Sequence, residues 1–126
     1  MLLQIKPEND EPIYLQLRDQ IVAGIASGGL KPGDQLPSVR EFARDLGVNY
    51  HTVNKAYALL RDEGYVNIYG RSGVVVADPP AADEAFIQDI EHRLVKIISE
   101  AKSKGISPGE IASLAKRLAE SEGGNE

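Results

Sequence analysis

The stretch Leu36–Tyr65, LPSVREFARDLGVNYHTVNKAYALLRDEGY, decides the fold of this chain. It contains two runs of apolar residues at the three- and four-residue spacing of amphipathic helices, separated by Gly47. Ser38 stands before the first run as an N-cap, and Glu41 three residues later completes a capping box. Asn49 is placed to cap the second run. The pattern predicts two short helices joined by a tight turn.

The second predicted helix has an outward face suited to a nucleic acid. Its inward stripe is Val53, Ala56, Tyr57 and Leu60, which assigns Tyr57 to the core. The residues left outward in its first two turns are Tyr50, His51, Asn54 and Lys55. Its acids come only at the far end, so the helix start is free to approach phosphates, which bind well at helix N-termini. A helix that enters a DNA groove tends to look like this. The same residues also fit a plain packed helix pair with a solvated outer face.

The residues before this stretch predict one more helix and a turn. Pro12 fits the first position of a helix, and apolar residues follow it at four-residue spacing. The members of this stripe are Ile13, Leu17, Ile21 and Ile25. Pro32 and Gly33 then stand in turn-forming order. Residues 1–10 form a short arm, in which Leu2, Leu3 and Ile5 are candidates for a short strand on the core.

The residues after the stretch predict a β-hairpin over 65–77. Tyr65–Tyr69 alternates as a strand does, Gly70–Gly73 forms the turn, and Val74–Ala77 returns. Three helices followed by a hairpin predict a mainly α fold with a small β-hairpin, arranged as a winged helix-turn-helix domain over residues 11–79. Arg71 lies at the hairpin tip, where it is either a solubilising residue or a contact to a minor groove or phosphate.

Three segments carry a family resemblance: PIYLQLRDQI, GLKPGDQLPSVREFARDLGVNYHTVNKAYALLRDEGYV and YGRSGVVV. They closely resemble the winged helix-turn-helix domain of GntR-type bacterial transcription regulators, over roughly Glu11–Pro79. The run G-x-L-x-x-G-x-x-L-P-S-x-R-E-x-A is highly specific for that family. With its short C-terminal tail, the chain is most similar to the small YtrA-type subfamily. The resemblance implies a DNA-binding regulator, often a repressor, whose helix 50–63 and wing at 70–73 bind an operator.

The resemblance also implies which residues contact DNA. They lie at the start of the helix pair, at the start of the second helix and in the wing turn: Ser38, Arg40, Asn49, Tyr50, His51, Thr52, Asn54, Lys55, Gly70 and Arg71. Arg40 is the arginine of the L-P-S-x-R-E run, and Gly70 is the wing glycine that lets backbone approach a minor groove. Family members often carry Thr or Arg where this chain has Tyr50, His51 and Asn54, which leaves the operator sequence open.

The residues after Pro79 predict a separate two-helix region over 80–126. Asp78–Ala82 breaks the strand pattern with two prolines. Two long apolar stripes follow, with candidate contact residues at Phe86, Ile90, Leu94, Ile97, Ile98, Leu114 and Leu118. Burying one large aliphatic side chain is worth roughly 1.5–3 kcal/mol, so these stripes require a partner surface. A homodimer is the favoured interpretation and is also what the resemblance implies; the alternative is that the helices complete the core of a monomer.

Composition bounds the remaining functions. The net charge of −5 looks unfavourable for a DNA-binding protein, and residues 1–79 hold eight Lys/Arg against ten Asp/Glu. We therefore expect a local basic patch on an acidic body, with marked salt sensitivity of DNA binding. The chain has no cysteine and no apolar run of membrane-spanning length, and Met1–Ile5 lacks the basic start and cleavage site of a signal peptide, so a cytoplasmic location is expected.

No arrangement of residues predicts catalysis. The chain has no nucleophile elbow and no P-loop, and its two histidines, His51 and His92, lie in different parts of the sequence. We expect no enzyme activity, no cofactor and no metal site. The expected partners are double-stranded DNA and a second copy of the chain, and a small-molecule effector is left open. The rival function is that of a winged helix used for protein contact without specific DNA binding.

Overall fold

The structure is a computed structural model that describes residues 10–70 and 73–121. The elements follow one another as α1 (Ile13–Ser27), β1 (Gln35–Leu36), α2 (Val39–Leu46), α3 (Tyr50–Asp62), β2 (Val66–Ile68), β3 (Val74–Val76), α4 (Glu84–Ser103) and α5 (Pro108–Glu120). The chain divides into two compact units, before and after the Pro80–Ala81 bond. The fold is mainly α with a small antiparallel sheet, as the sequence predicts.

One hydrophobic core holds the first unit together. It is formed by Leu17 and Ile21 of α1, Phe42 and Ala43 of α2, Val53, Ala56, Tyr57 and Leu60 of α3, and Leu36, Val66, Val74 and Val76 of the sheet. The helical stripes predicted from the sequence therefore face inward. Ile13 and Ile25 of the α1 stripe, and Val39 at the start of α2, are only partly buried against this core.

In the described part of the chain the sheet has three strands, one more than the predicted hairpin supplies. Its order is β1-β3-β2 with both pairings antiparallel, so the returning strand of the wing lies in the centre. Gln35 pairs with Val75 and Leu36 with Val74. Two further backbone hydrogen bonds, each 2.8 Å long, extend the pairing of β1 with β3. Gly33 N–H donates to the Val76 carbonyl, and Val76 N–H donates to the Asp34 carbonyl. Two residues are too few to show alternation, so only this pairing defines the strand.

The helix boundaries follow the predicted caps, with one correction. Ser38 Oγ accepts from Glu41 N–H and Glu41 accepts from Ser38 N–H, which completes the predicted capping box. Gly47 ends α2 with a φ of +69°, which favours glycine. Pro12 is the N-cap of α1 and not its first helical residue, because its carbonyl accepts the first bonds, from Leu15 and Gln16 N–H.

The predicted wing and arm are described only in part. The first wing strand is β2, Val66–Ile68, which is shorter than the predicted Tyr65–Tyr69. Arg71, which the sequence places at the wing tip, lies outside the described residues, as do Leu2, Leu3 and Ile5 of the arm.

The second unit consists of two capped helices with no buried residue in either. Asp83 accepts from Phe86 N–H at 2.8 Å to cap α4, and Ser107 and Glu110 form the predicted capping box of α5. The exposed large apolar residues include all the predicted contact residues: Phe86, Ile90, Leu94, Ile97, Ile98, Leu114 and Leu118. Their apolar faces are therefore left in water in the single chain.

Candidate nucleic-acid interface

Tyr57 fixes α3 against the start of α2. Its side chain is 0% exposed, its ring stacks on Phe42 with centroids 5.9 Å apart, and its hydroxyl donates to the Pro37 carbonyl at 2.8 Å. Burial raises the pKa of Tyr57, so the phenol stays neutral and keeps its proton for this bond. Since Pro37 directly precedes the N-cap of α2, the bond sets where Ser38 and Arg40 lie relative to α3.

The outward face of α3 is as the sequence predicts. Tyr50 is 45% exposed, His51, Asn54 and Lys55 are exposed, and Thr52 is half-buried. The Tyr50 and His51 rings meet edge-on, with centroids 5.6 Å apart. No acid lies in the first turn of the helix. The amino end of α3 therefore presents uncharged and basic groups to solvent.

Asn49 caps the start of α3. Its side-chain oxygen accepts from His51 N–H at 2.7 Å, so this oxygen satisfies the helix start. The oxygen keeps a second lone pair and the amide NH2 group carries two donors. The predicted cap is confirmed, and the DNA contact predicted for the same residue stays a prediction.

Ion pairing separates two groups of cations in the first unit. Arg18 pairs with Asp19 and Glu63, Arg44 with Asp45, and Arg61 with Asp62. Three other cations make no ion pair with any described residue: Lys31, Arg40 and Lys55. Arg40 lies in the first turn of α2 and Lys55 in the second turn of α3. Unneutralised positive charge therefore stands on both helices of the pair, although the chain as a whole is acidic.

The far end of α3 is held by acids and is unsuited to DNA. Arg18 Nε donates to Glu63 Oε1 at 2.9 Å and a terminal Arg18 nitrogen donates to Glu63 Oε2 at 3.1 Å. The hydrogen bond to Glu63 raises the pKa of Arg18 above its ordinary value. This pair joins residues 45 positions apart in sequence, and sequence periodicity gives no signal for it.

The wing presents apolar groups that the sequence analysis did not single out. Tyr69 is 55% exposed and Ile68 is also exposed, directly before the wing turn. Gly70 has a φ of +59°, which favours glycine, and Tyr69 N–H donates to the Gly73 carbonyl at 3.0 Å. The backbone conformation at position 70 therefore favours glycine, the residue for which the sequence predicts a close approach to DNA.

Tyr14 is a second group that the sequence analysis missed. The Lys55 Nζ atom lies 4.2 Å from the centroid of the Tyr14 ring, which comes from the first turn of α1. Tyr14 is partly buried and packs against the core. An ammonium above an aromatic face is a cation–π contact. The contact joins positions 41 residues apart in sequence, so only the folded chain reveals it.

The remaining chemistry of the described residues is limited. Among residues 10–70 and 73–121, no group of three or more His, Asp or Glu is arranged to hold a metal ion. In the same part of the chain, none of the helices combines the length and apolarity required to cross a bilayer. What the geometry does provide is an exposed, acid-free helix start beside unpaired cations, carried by three helices and a small sheet. These features define a winged helix-turn-helix protein.

Comparison with known proteins identifies the family. Residues 13–76 match the family described as bacterial regulatory proteins, gntR family. The chain is 34% identical over 107 residues to the HTH-type transcriptional repressor YtrA of Bacillus subtilis (strain 168), covering 83% of this chain and 82% of the relative. The chain therefore belongs to the gntR family of bacterial regulatory proteins, and its likeness to YtrA confirms the subfamily that the sequence suggested.

Two solved structures extend the comparison. A crystal structure described as a transcriptional antiterminator from Listeria monocytogenes EGD-e has a TM-score of 0.89 and 26% identity, covering 95% of this chain and 91% of that chain. A crystal structure of AraR(DBD) in complex with operator ORX1 has a TM-score of 0.55 and 26% identity, covering 61% of this chain and 99% of that chain. The chain is thus a transcription regulator with a DNA-binding winged helix, and its relatives are named as regulators and not as enzymes.

Proposed function

We propose that the chain is a homodimeric repressor that binds a palindromic operator through α3 and the wing. The observation that carries the proposal is the distribution of charge in the first unit: Arg40 and Lys55 make no ion pair with described residues, whereas the arginine near the end of α3 is paired with an acid. The relative YtrA is named a repressor, and the DNA-binding domain of AraR is described in complex with an operator.

The exposed groups of α3 suit different parts of a duplex. Asn54 carries the amide that pairs with the edge of an adenine, and Lys55 suits a phosphate or a guanine. Arg40, in the first turn of α2, is placed for a phosphate or base contact, and the backbone at Gly70 is suited to close approach by the wing. Since the chain has a net charge of −5, binding outside the operator should be weak, and binding to the operator should fall steeply with salt.

The dimer rests on the second unit. The seven predicted contact residues are all exposed in the single chain, and an apolar face of this length on a pair of helices is a surface for another copy. A two-fold dimer presents the same patch from both copies. Two recognition helices on one face of DNA would then meet half-sites about 34 Å apart.

A mobility-shift assay with genomic fragments tests DNA recognition, beginning with the fragment upstream of the protein's own gene. We expect selective retention of few fragments by the wild type, and much weaker but still measurable retention by Arg40→Ala and Lys55→Ala. Arg61→Ala is the matched control, because Arg61 is exposed on the same helix but pairs with Asp62. Retention of no fragment by folded wild type would favour the rival function of a protein-contact module.

Sedimentation tests the dimer. Ile97 is 60% exposed and Val95 is 57% exposed on the same helix, but two residues apart they project from nearly opposite sides of it. Ile97→Glu should dissociate the dimer and weaken operator binding, whereas Val95→Glu should leave both unchanged. A dimer that survives Ile97→Glu would place the interface elsewhere.

A further inference from the structure

The outer side of α1 touches α3 at two polar points beyond the core. Tyr14 lies beneath the Lys55 ammonium at 4.2 Å, and Arg18, one helical turn later, binds Glu63 at 2.9 Å. Lys55 and Glu63 are eight residues apart, so the two contacts lie about two turns apart along α3. The first contact lies at Lys55, which is exposed and makes no ion pair with a described residue. The second lies at the far end of α3, where Arg61 is also paired with an acid.

Lys55 is restrained in a manner that preserves its charge. Each of the arginines Arg18, Arg44 and Arg61 lies within ion-pair distance of a carboxylate, which cancels its charge toward a ligand. Arg18 also stands over a ring, that of Tyr65 at 5.8 Å, but it is paired with Glu63 as well. Among the described cations of the first unit, Lys55 is held by an aromatic face without an accompanying acid.

We propose that Tyr14 is a positioning residue for DNA binding, whose ring holds the Lys55 ammonium in place on the outer face of α3. The proposal rests on the proposed function of α3. A free lysine side chain loses rotamer entropy when it binds a phosphate or base. A side chain restrained before binding loses less, so preorganisation raises affinity. A ring does this without neutralising the charge that the DNA must meet.

The experiment compares operator affinities of four variants with wild type: Tyr14→Phe, Tyr14→Leu, Lys55→Ala and the double variant Tyr14→Leu/Lys55→Ala. Tyr14→Phe keeps the ring face, and the Tyr14 hydroxyl has no hydrogen-bond partner among described residues, so affinity should stay close to wild type. Tyr14→Leu keeps apolar bulk but loses the ring, and should weaken binding about two- to fivefold, as expected for an exposed cation–π contact.

The Lys55→Ala background separates positioning from packing. Once the ammonium is gone, Tyr14→Leu should cause no further loss, because the ring then has nothing to position. The salt dependence of binding should be the same for Tyr14→Leu and wild type, because the number of charges is unchanged. Tyr65→Leu is the matched control: it removes the ring beneath Arg18, and should leave operator affinity unchanged.

Several results would overturn the proposal. Binding by Tyr14→Leu as tight as wild type would show that the ring does not contribute to operator binding. Tighter binding would show that the ring holds Lys55 away from the DNA. A loss in Tyr14→Phe as large as in Tyr14→Leu would assign the effect to the hydroxyl, and a loss that persists in Lys55→Ala would assign it to packing. If Tyr14→Leu fails to fold, a series of fluorinated phenylalanines at position 14 replaces it, since fluorine weakens the ring's attraction for a cation with little change in shape. Affinity that does not fall along this series refutes the proposal.

A measurement on the DNA-free protein separates this proposal from the function of the protein. In NMR spectra, the Lys55 ε-methylene protons should be shifted upfield by the ring current in wild type and Tyr14→Phe, but not in Tyr14→Leu. Unshifted protons in wild type would refute the contact itself. If wild type shows the shift but retains no DNA fragment, the proposed function fails and the positioning proposal falls with it; if DNA is retained and Tyr14 variants bind equally, only the positioning proposal fails.

Discussion

The hydroxyl of Tyr57 offers a direct test of how the two helices are held together. Tyr57→Phe removes one oxygen atom from a side chain that is 0% exposed and leaves the ring to stack on Phe42 as before. The lost hydrogen bond is the one to the Pro37 carbonyl at 2.8 Å. The substitution therefore isolates a single polar contact between α3 and the chain that leads into α2.

The expected decrease in the free energy of unfolding arises because the Pro37 carbonyl loses its hydrogen-bond donor. Removing one partner of a buried hydrogen bond costs about 1–3 kcal/mol. Pro37 is only half-buried, so water can partly replace the hydroxyl and the lower half of that range applies. A loss of about 1–2 kcal/mol lowers the unfolding midpoint of a unit of this size by roughly 4–16 °C.

Urea and thermal unfolding, followed by circular dichroism at fixed protein concentration, measure this loss. Tyr65→Phe is the control, because Tyr65 packs against the same core and its hydroxyl has no hydrogen-bond partner among described residues. The stability of this variant should differ from wild type by less than about 0.5 kcal/mol. Equal stability of Tyr57→Phe and wild type would refute the reasoning, because it would show that the Pro37 carbonyl does not depend on this bond.

Two further predictions concern backbone and pH. Gly64→Ala should destabilise more than Gly28→Ala in the same unfolding assay: both have φ near +85°, at +89° and +84°, but only at Gly64 would the new Cβ meet another group, Pro80 Cδ at 2.8 Å. Equal losses would show that Pro80 moves away freely. The hydrogen bond from Ser38 N–H lowers the pKa of Glu41 below its ordinary 4.5. Near and below about pH 4.5 the unfolded chain therefore binds more protons at Glu41 than the folded chain does, and the capping box loses its contribution to stability as the pH falls. Between about pH 5 and pH 3, Glu41→Gln should therefore lose less stability than wild type, and a parallel loss would remove this interpretation.

Periodicity and caps predicted most of the first unit because they act over one or two helical turns. The stripe Val53, Ala56, Tyr57 and Leu60 is buried as its spacing indicates. Each cap is a bond between residues two or three positions apart, such as Ser38 with Glu41 and Asn49 with His51. These interactions are set by local sequence, so their residues and their spacing are visible before folding. Tyr50, His51 and Asn54 are predicted to face outward because they lie on the side of the helix away from this stripe.

Contacts between distant positions were not predictable in the same way. The strand Gln35–Leu36 has no alternation to detect and exists only because it pairs with Val74 and Val75. The cation–π contact of Tyr14 and the ion pair of Arg18 both reach across to α3. In the sequence, Lys55 is one basic residue among several, and its lack of an acidic partner appears only when every carboxylate has a position.

The sequence by itself therefore determined the helices, their caps, the winged helix-turn-helix order and the family, because these depend on residue types at fixed short spacings. Only the tertiary structure decided that Arg18 is paired with Glu63 whereas Lys55 lies on the ring of Tyr14. The Arg18–Glu63 ion pair and the contact of Lys55 with the Tyr14 ring depend on distances of a few ångströms between side chains of α1 and α3 or its C-terminal cap. Spacing along the chain does not set those distances; the packing of α1 against α3 does.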